Sequence, residues 1–223
     1  LISQLYYKSN PELIKAISEK GATAFSMDAM PRISKAQDMD VLSSQNNLAG
    51  YKAVILGASE MTKIFPLMMT AAGTITPSKV LIYGVGVAGL QAIATARRLG
   101  AVVEATDIRT ETKEQTESLG AKFISVENTG EESEGGYAKE ASEDYVKRQK
   151  EAVNKSLFQA DLVITTANIP GRKAPTLITE EQVKQMKKGA VIIDLAAAQG
   201  GNCEVSKLHE TVVLNGAKVL GTT

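Results

Sequence analysis

The chain has 223 residues, 43% hydrophobic and 22% charged, which is the composition of an ordinary globular protein with one large domain or two of about 100 residues. Its 25 basic and 25 acidic residues balance, so its charge gives no basis for binding nucleic acid, whose phosphates need cationic partners. One cysteine, Cys203, and one histidine, His209, exclude an internal disulfide, a multi-histidine metal site and a histidine-based triad.

The first 73 residues predict an incomplete α/β domain. A strand over residues 1–7, a helix over 10–20 that Gly21 stops, and a strand over 22–27 form a unit too small to bury its own core. A polar loop over 28–40 follows, and apolar residues at helical spacing from 47 to 73 predict one or two helices leading into a second domain. The chain opens directly in a strand-like run and stops just after another, so we interpret both ends as cut.

Residues 74–223 alternate between strand and helix patterns. The predicted helices cover 87–99, 110–119 and 179–186, with a further charged helix after an acidic, glycine-bearing insertion that begins at 127. The predicted strands cover 79–83, 102–106, 122–126, 161–165, 190–195, 211–214 and 218–220. Such alternation demands a parallel sheet with right-handed crossovers. We therefore predict an α/β fold, a Rossmann-like doubly wound sheet plus a second, partly missing α/β domain.

A glycine motif, GVGVAG at residues 84–89, lies between the first strand and the first helix of this domain. In that context Gly84 permits a tight turn, Gly86 lets the oxygens of a pyrophosphate approach the backbone, and Gly89 lets the helix pack close to the strand. The helix N-terminus then faces the anion with its N–H groups and its dipole. The motif predicts a dinucleotide site, the alternative being a glycine-rich packing turn.

Asp107 follows the second strand, 107 − 86 = 21 residues beyond Gly86, where such folds place the carboxylate that binds the adenosine ribose. A 2′-phosphate near this carboxylate would meet repulsion of about 4 kcal/mol per charge pair at about 4 Å and an effective dielectric constant near 20. NAD(H) is therefore favoured over NADP(H). Arg109 weakens this inference, because a nearby arginine can receive a 2′-phosphate; its other interpretation is a solvated cation at a helix start.

Residues 31–45, PRISKAQDMDVLSSQ, form a far rarer string than the glycine motif. The string resembles a loop in the NAD(H)-binding domain of the proton-translocating nicotinamide nucleotide transhydrogenases, a family related to alanine dehydrogenase. The resemblance extends over essentially the whole chain, through NLAGY at 47–51, the glycine motif, KEQ at 113–115, GGYAK at 135–139, IPG at 169–171, AP at 174–175 and GGNC at 200–203.

The resemblance implies hydride transfer between NAD(H) held here and NADP(H) held on a partner domain, coupled through a transmembrane domain to proton movement. It also implies a homodimer, and a position on the bacterial cytoplasmic or mitochondrial matrix side of a membrane. The catalytic residues it implies are Arg32, Gln37, Asp40 and Ser43, with Gln37 orienting the nicotinamide and Arg32 pairing with Asp40. Direct hydride transfer needs positioning rather than a proton-transferring side chain. Without the resemblance, Arg32 and Asp40 would be interpreted as a surface ion pair.

Other predicted cofactor contacts come from the insertion, which the family uses as a lid carrying Tyr137, and from loops at the carboxyl ends of later strands. The family more often has leucine where Asn168 stands. The full set of predicted cofactor-binding residues is Gly84, Gly86, Val87, Ala88, Gly89, Asp107, Ile108, Arg109, Tyr137, Ala167, Asn168, Gly200, Gly201 and Asn202.

Two other functions remain open at this stage. Alanine dehydrogenase shares the fold and several glycine motifs, but that family has an acid directly before its Gln-Gly-Gly, where this chain has Ala198. A sensor that holds NAD without reacting is the second alternative. Turnover separates the three, because only a transhydrogenase would reduce an NADP analogue with NADH, and only an alanine dehydrogenase would make NADH from L-alanine.

Overall fold

The N-terminal region of the chain forms a small strand–helix–strand unit. The structure, a computed structural model, describes residues 1–31, 33–109, 111–125, 143–168 and 172–222. Strand β1 (Ile2–Ser3) pairs in parallel with β2 (Phe25–Ser26), and α1 (Pro11–Glu19) connects them without burying a residue. Both strands are shorter than predicted, and beyond β1 the Asp28 carboxylate accepts the N–H groups of Leu5 and Tyr6, each at 3.0 Å. Within this unit Leu5 is buried, whereas α1 buries none of its residues.

Two short 3-10 helices (Met27–Ala29 and Ser34–Met39) lead into α2 (Val41–Glu60). The prediction of helix up to residue 73 is wrong. The helix ends at Glu60, and the antiparallel strands β3 (Met68–Thr70) and β4 (Gly73–Ile75) form a hairpin instead. Pro66 lacks a backbone N–H and cannot continue a helix, and Gly73 adopts a φ of +144° that closes the hairpin turn.

A seven-stranded sheet occupies the rest of the chain. Its strands are β5 (Lys79–Tyr83), β6 (Val102–Thr106), β7 (Lys122–Phe123), β8 (Leu162–Thr165), β9 (Val191–Asp194), β10 (Thr211–Leu214) and β11 (Ala217–Gly221). The spatial order is β10-β11-β9-β8-β5-β6-β7, and every pair is parallel except β10 with β11. Counted from β5, the six parallel strands follow the order 3-2-1-4-5-6 of dinucleotide-binding sheets, so the predicted fold class is confirmed.

Helices cover both faces of this sheet. They are α3 (Val87–Arg98), α4 (Thr112–Ser118), α5 (Glu143–Leu157) and α6 (Glu180–Lys184). One core, around Ile82 and Ile93, lies on the side of α2 and α3, and a second, around Leu81 and Leu157, lies on the side of α5. Burial from both sides explains why β8 and β9 are continuous apolar runs rather than alternating ones. Within the described ranges, no helix has the length and apolarity that crossing a membrane requires.

Helix α2 runs antiparallel to the strands and connects the two regions of the chain. Gly50 lies so close to the Ala88 carbonyl that a Cβ there would overlap it, and a Cβ on Gly57 would lie 2.5 Å from the Leu162 side chain. At the far end, Glu60 pairs with Lys218 at 2.9 Å. Because α2 begins at Val41, nine residues before Gly50, its start lies about 13 Å beyond that contact at a rise of about 1.5 Å per residue, toward the carboxyl edge of the sheet.

A buried carboxylate fastens the opposite edge of the sheet. Asp161 accepts the Lys79 N–H at 2.8 Å, and the ammonium groups of Lys63 and Lys187, each at 2.9 Å. Burial acts to raise the pKa of this carboxyl, but the hydrogen bonds from Lys79, Lys187 and Lys63 outweigh it and hold the pKa below its usual value. The segment after α2 is thereby joined to the strands.

Candidate functional site

In the glycine turn between β5 and α3, two of the three motif glycines have no room for a side chain and one does. Gly84 has φ of +91°, and a Cβ there would lie 2.7 Å from the Thr166 hydroxyl. A Cβ on Gly89 would overlap the Gly84 carbonyl oxygen. A Cβ on Gly86 would meet nothing within 4 Å. Gly84 and Gly89 therefore serve packing. The backbone at Gly86 is accessible from outside, next to the N–H groups of the first turn of α3.

A threonine that sequence reasoning missed fixes the turn from the neighbouring strand. The Thr166 hydroxyl donates to the Gly84 carbonyl at 2.9 Å, and the Gly84 N–H donates to Thr106 O at 2.9 Å. Thr166 directly follows β8, the strand beside β5 at the point where the sheet order reverses. The sequence signal that could have identified Thr166 is a polar residue directly after the apolar strand β8.

Asp107 lies at the end of β6 and bonds to the same turn. Its side chain is only 6% exposed, and it accepts the Val85 N–H at 2.7 Å and the Arg109 N–H at 2.9 Å. The Arg109 guanidinium adds two more hydrogen bonds, each of 3.0 Å. Burial acts to raise the pKa of Asp107, but the hydrogen bonds from Arg109 and Val85 outweigh it and hold the pKa below its usual value. Asp107 is therefore a fixed anion beside the turn.

Apolar side chains next to this anion face outward. Ile108, between Asp107 and Arg109, is 98% exposed, and Val87 at the start of α3 is 38% exposed. Ala88 follows, half-buried, against α2. An isoleucine this exposed at the carboxyl edge of a parallel sheet leaves apolar area available for a flat ligand.

The loops after β8 and β9 are joined by one buried amide. The Asn202 side chain accepts the Ala167 N–H at 3.0 Å and donates to the carbonyls of Ala167 at 2.9 Å and Pro175 at 2.8 Å. It is fully buried, so it connects the loops from within rather than presenting its amide to a ligand. Asn168, one residue beyond Ala167, is exposed.

A second buried group missed by sequence reasoning shapes the loop after β9. The Asp194 carboxylate accepts the N–H groups of Ala196, Asn202 and Cys203, at 2.9 to 3.1 Å, and the Thr165 hydroxyl at 3.0 Å. The loop can fold around the Asp194 carboxylate because two glycines adopt positive φ, Gly200 at +99° and Gly201 at +80°. Gly200 is exposed beside the Lys173 side chain, whereas Gly201 is buried against Asp194.

The string at residues 31–45 forms the start of α2 and the 3-10 turn before it. Asp40 caps the helix, accepting the Ser43 N–H at 2.9 Å and the Ser43 hydroxyl at 2.6 Å. Gln37 lies on the 3-10 turn and its side chain is exposed. Arg32 lies outside the described residues, as does Tyr137 of the insertion. Asp40 and Ser43 thus order the start of α2, directly after the 3-10 turn that carries Gln37.

Among the residues that the structure describes, no three His, Cys, Asp or Glu side chains are grouped to hold a metal ion. Cys203 is buried, and burial raises the pKa of its thiol to about 11, which disfavours the reactive thiolate.

Comparison with known proteins assigns both regions of the chain. Residues 1–49 match the N-terminal domain and residues 53–223 match the C-terminal domain of the family described as alanine dehydrogenase/PNT. The chain is 57% identical, over its whole length, to an NAD(P) transhydrogenase alpha subunit from Rhodospirillum rubrum, of which it covers 59%. It is 31% identical over 92% of its length to alanine dehydrogenase from Bacillus subtilis, of which it covers 49%.

A solved structure extends the likeness to three dimensions. The crystal structure of a transhydrogenase from Sinorhizobium meliloti superposes with a TM-score of 0.90 at 48% identity, over all of this chain and 60% of that one. The chain thus spans about three fifths of the length of these two transhydrogenases.

Proposed function

The chain belongs to the alanine dehydrogenase/PNT family, and on that basis we propose that it is the NAD(H)-binding component of an NAD(P) transhydrogenase. It exchanges hydride with NADP(H) held on a partner domain, and the complete enzyme couples this transfer to proton translocation. The observation that carries the proposal is an arrangement at one edge of the sheet. The open turn at Gly86, the anion Asp107 and the projecting start of α2 all lie at the carboxyl ends of the strands.

The binding half of the site suits an adenosine diphosphate. The backbone at Gly86 and the N-terminus of α3 receive the diphosphate, because unpaired N–H groups and the helix dipole both favour an anion there. Asp107 receives the ribose hydroxyls, and the exposed side chain of Ile108 packs against the adenine ring. The charge of Asp107 opposes a 2′-phosphate, so NAD(H) is the nucleotide of this domain.

The nicotinamide half lies across the point where the strand order reverses. The loops joined by Asn202 form its floor, with Ala167, Asn168 and Gly200 nearest the ligand. Gln37 orients the ring from above by hydrogen bonding, from the 3-10 turn directly before the helix start that Asp40 and Ser43 cap. The reduced nicotinamide supplies the hydride, and the protein supplies orientation and excludes water. In this scheme Arg32 and Tyr137 close the site.

The proposal includes a homodimer and a two-domain division. The β3–β4 hairpin, at the boundary between the two domains, carries exposed apolar side chains, Met69 being 74% exposed and Ile75 50% exposed, and such a surface favours self-association. The first domain ends near residue 73, the second contains the seven-stranded sheet, and α2 is the helix that connects them. The hydride acceptor and the transmembrane proton pathway belong to other domains of the enzyme.

Alanine dehydrogenase is the related enzyme whose activity must be distinguished from the proposed one. Oxidation of an amino acid requires a base, and Ala198 provides none at the position before Gln199 where that family has an acid. The two turnover assays, with an NADP analogue and with L-alanine, separate the activities in the full-length protein. We expect NADH to reduce an NADP analogue, and we expect no NADH from L-alanine and NAD; the reverse result would refute the proposal, and binding of NADH without either reaction would indicate a sensor.

A further inference from the structure

The carboxylate of Asp107 has all of its acceptor positions filled from within the protein. A carboxylate offers about four lone-pair directions. One oxygen accepts the backbone N–H and the Nε of Arg109, at 2.9 and 3.0 Å, and the other accepts the Val85 N–H and the Nη2 of Arg109, at 2.7 and 3.0 Å. Two bonds therefore come from the backbone, and two come as a fork from one guanidinium.

The two kinds of bond differ in how easily they are exchanged. The backbone N–H groups belong to the glycine turn and to the end of β6, so they are fixed. The guanidinium is on a long side chain that is 50% exposed, with one further bond, from Nη2 to the Val85 carbonyl at 3.1 Å. Because the guanidinium end of the pair is half-exposed, water can replace its hydrogen bonds more readily than it can replace those of the fixed backbone N–H groups.

A ribose 2′,3′-diol and the guanidinium fork would occupy the same acceptor positions of Asp107. Each presents two adjacent donors to the two oxygens of one carboxylate. Asp107 cannot accept both at once, since the backbone already uses its other two positions. We propose that Arg109 holds the adenosine-ribose position of Asp107 and is exchanged for the ribose hydroxyls when NAD(H) binds. This inference rests on the proposed NAD(H)-binding function.

The exchange gives Arg109 a part in nucleotide selection. While Asp107 is charged, it holds the guanidinium, and a 2′-phosphate meets the carboxylate. If Asp107 is neutral, the guanidinium is released beside the ribose position and is suited to bind a 2′-phosphate through two parallel hydrogen bonds. Arg109 therefore competes with NAD(H) in the wild-type protein, and would recruit NADP(H) once Asp107 loses its charge.

The test is a titration of the full-length protein and four variants with NADH and with NADPH. We expect Arg109→Ala to lower the Kd for NADH about two- to fivefold, because only the half-exposed guanidinium competes with the ribose hydroxyls and the backbone hydrogen bonds of Asp107 remain. We expect Asp107→Asn to bind NADPH about tenfold or more tightly than wild type, and Asp107→Asn/Arg109→Ala to lose that gain. Arg98→Ala, an exposed arginine at the other end of α3, is the matched control and should leave both affinities unchanged.

Several outcomes would overturn the inference. Weaker or unchanged NADH binding by Arg109→Ala would show that the guanidinium does not compete. Equal NADPH binding by the single and double Asp107 variants would show that Arg109 does not receive the phosphate. Failure of the wild-type protein to bind NADH would refute the proposed function as well. If Arg109→Ala does not fold, Arg109→Lys replaces it, because lysine keeps the charge without the fork and should also tighten NADH binding.

Discussion

Gly86 and Gly89 differ by three residues, but the structure predicts opposite consequences for the same substitution. Gly86 has φ of −89° and ψ of −164°, an ordinary extended conformation, and a Cβ there points into open space. Gly89 is buried, and a Cβ there would overlap the carbonyl oxygen of Gly84. Gly86→Ala should therefore impair binding, and Gly89→Ala should impair folding.

The magnitudes follow from these surroundings. For Gly86→Ala, the loss of a favourable helix-capping residue and the reduced entropy of the unfolded chain act in opposite directions, so the free energy of unfolding should change by at most about 1 kcal/mol. A methyl group where the diphosphate approaches the backbone should weaken NADH binding by about tenfold or more. For Gly89→Ala, α3 must shift away from β5, which should cost about 1–3 kcal/mol of stability or more.

Chemical denaturation gives the free energy of unfolding of each variant, and titration with NADH gives the affinity. Gly73→Ala, in the hairpin and away from the cofactor edge, is the control for the affinity measurement: its φ of +144° makes alanine strained, so this variant should lose stability but bind NADH with unchanged affinity. The reasoning would be refuted if Gly86→Ala bound NADH with unchanged affinity, or if Gly89→Ala were as stable as the wild-type protein.

Three further predictions concern side chains. Gln37→Asn should slow hydride transfer by about tenfold while changing the Kd for NADH less than about twofold, because orientation rather than affinity is lost. Gln115→Asn, at an exposed residue of α4, is the control. Equal losses in rate and affinity would contradict an orienting role. Asp107→Ala should weaken NADH binding by about tenfold and let NADPH compete; competition titration checks this, and no gain for NADPH would show that the carboxylate does not select the nucleotide. Asp161→Asn should lower the free energy of unfolding at pH 7 by about 1–3 kcal/mol, less than for a fully buried pair because Lys63 and Lys187 are partly exposed. Since the folded protein holds the Asp161 pKa below its unfolded value of about 3.9, this stabilisation is present above about pH 4 and disappears as the pH falls through the folded value; a wild-type advantage that persisted in acid would contradict this assignment.

Periodicity and glycine spacing were sufficient to predict the sheet domain. The strands at 79–83, 102–106 and 211–214 have their predicted bounds, because buried parallel strands and hairpin pairs have strong local patterns. Residues 61–73 were predicted wrongly because Met and Ala suit a helix locally, whereas Pro66 and the packing of the segment at the sheet edge decide its conformation.

The contacts that organise the site could not be predicted in the same way. Asn202 and Ala167 are 35 residues apart and meet only because β8 and β9 are neighbours. Likewise, the sequence distance from Gly86 predicted the place of Asp107, but not that Arg109 would fill its acceptor positions. Such pairings depend on strand order and on side-chain reach, and neither is encoded in local spacing.

The most direct test of the proposed function is a crystal structure of the full-length protein with NADH. We predict that the diphosphate lies against the backbone of Gly86, that the ribose hydroxyls bond to Asp107, and that the side chain of Gln37 lies within hydrogen-bonding distance of the nicotinamide carboxamide or its ribose. A dinucleotide bound away from this turn, or a nicotinamide far from residues 34–40, would contradict the proposal.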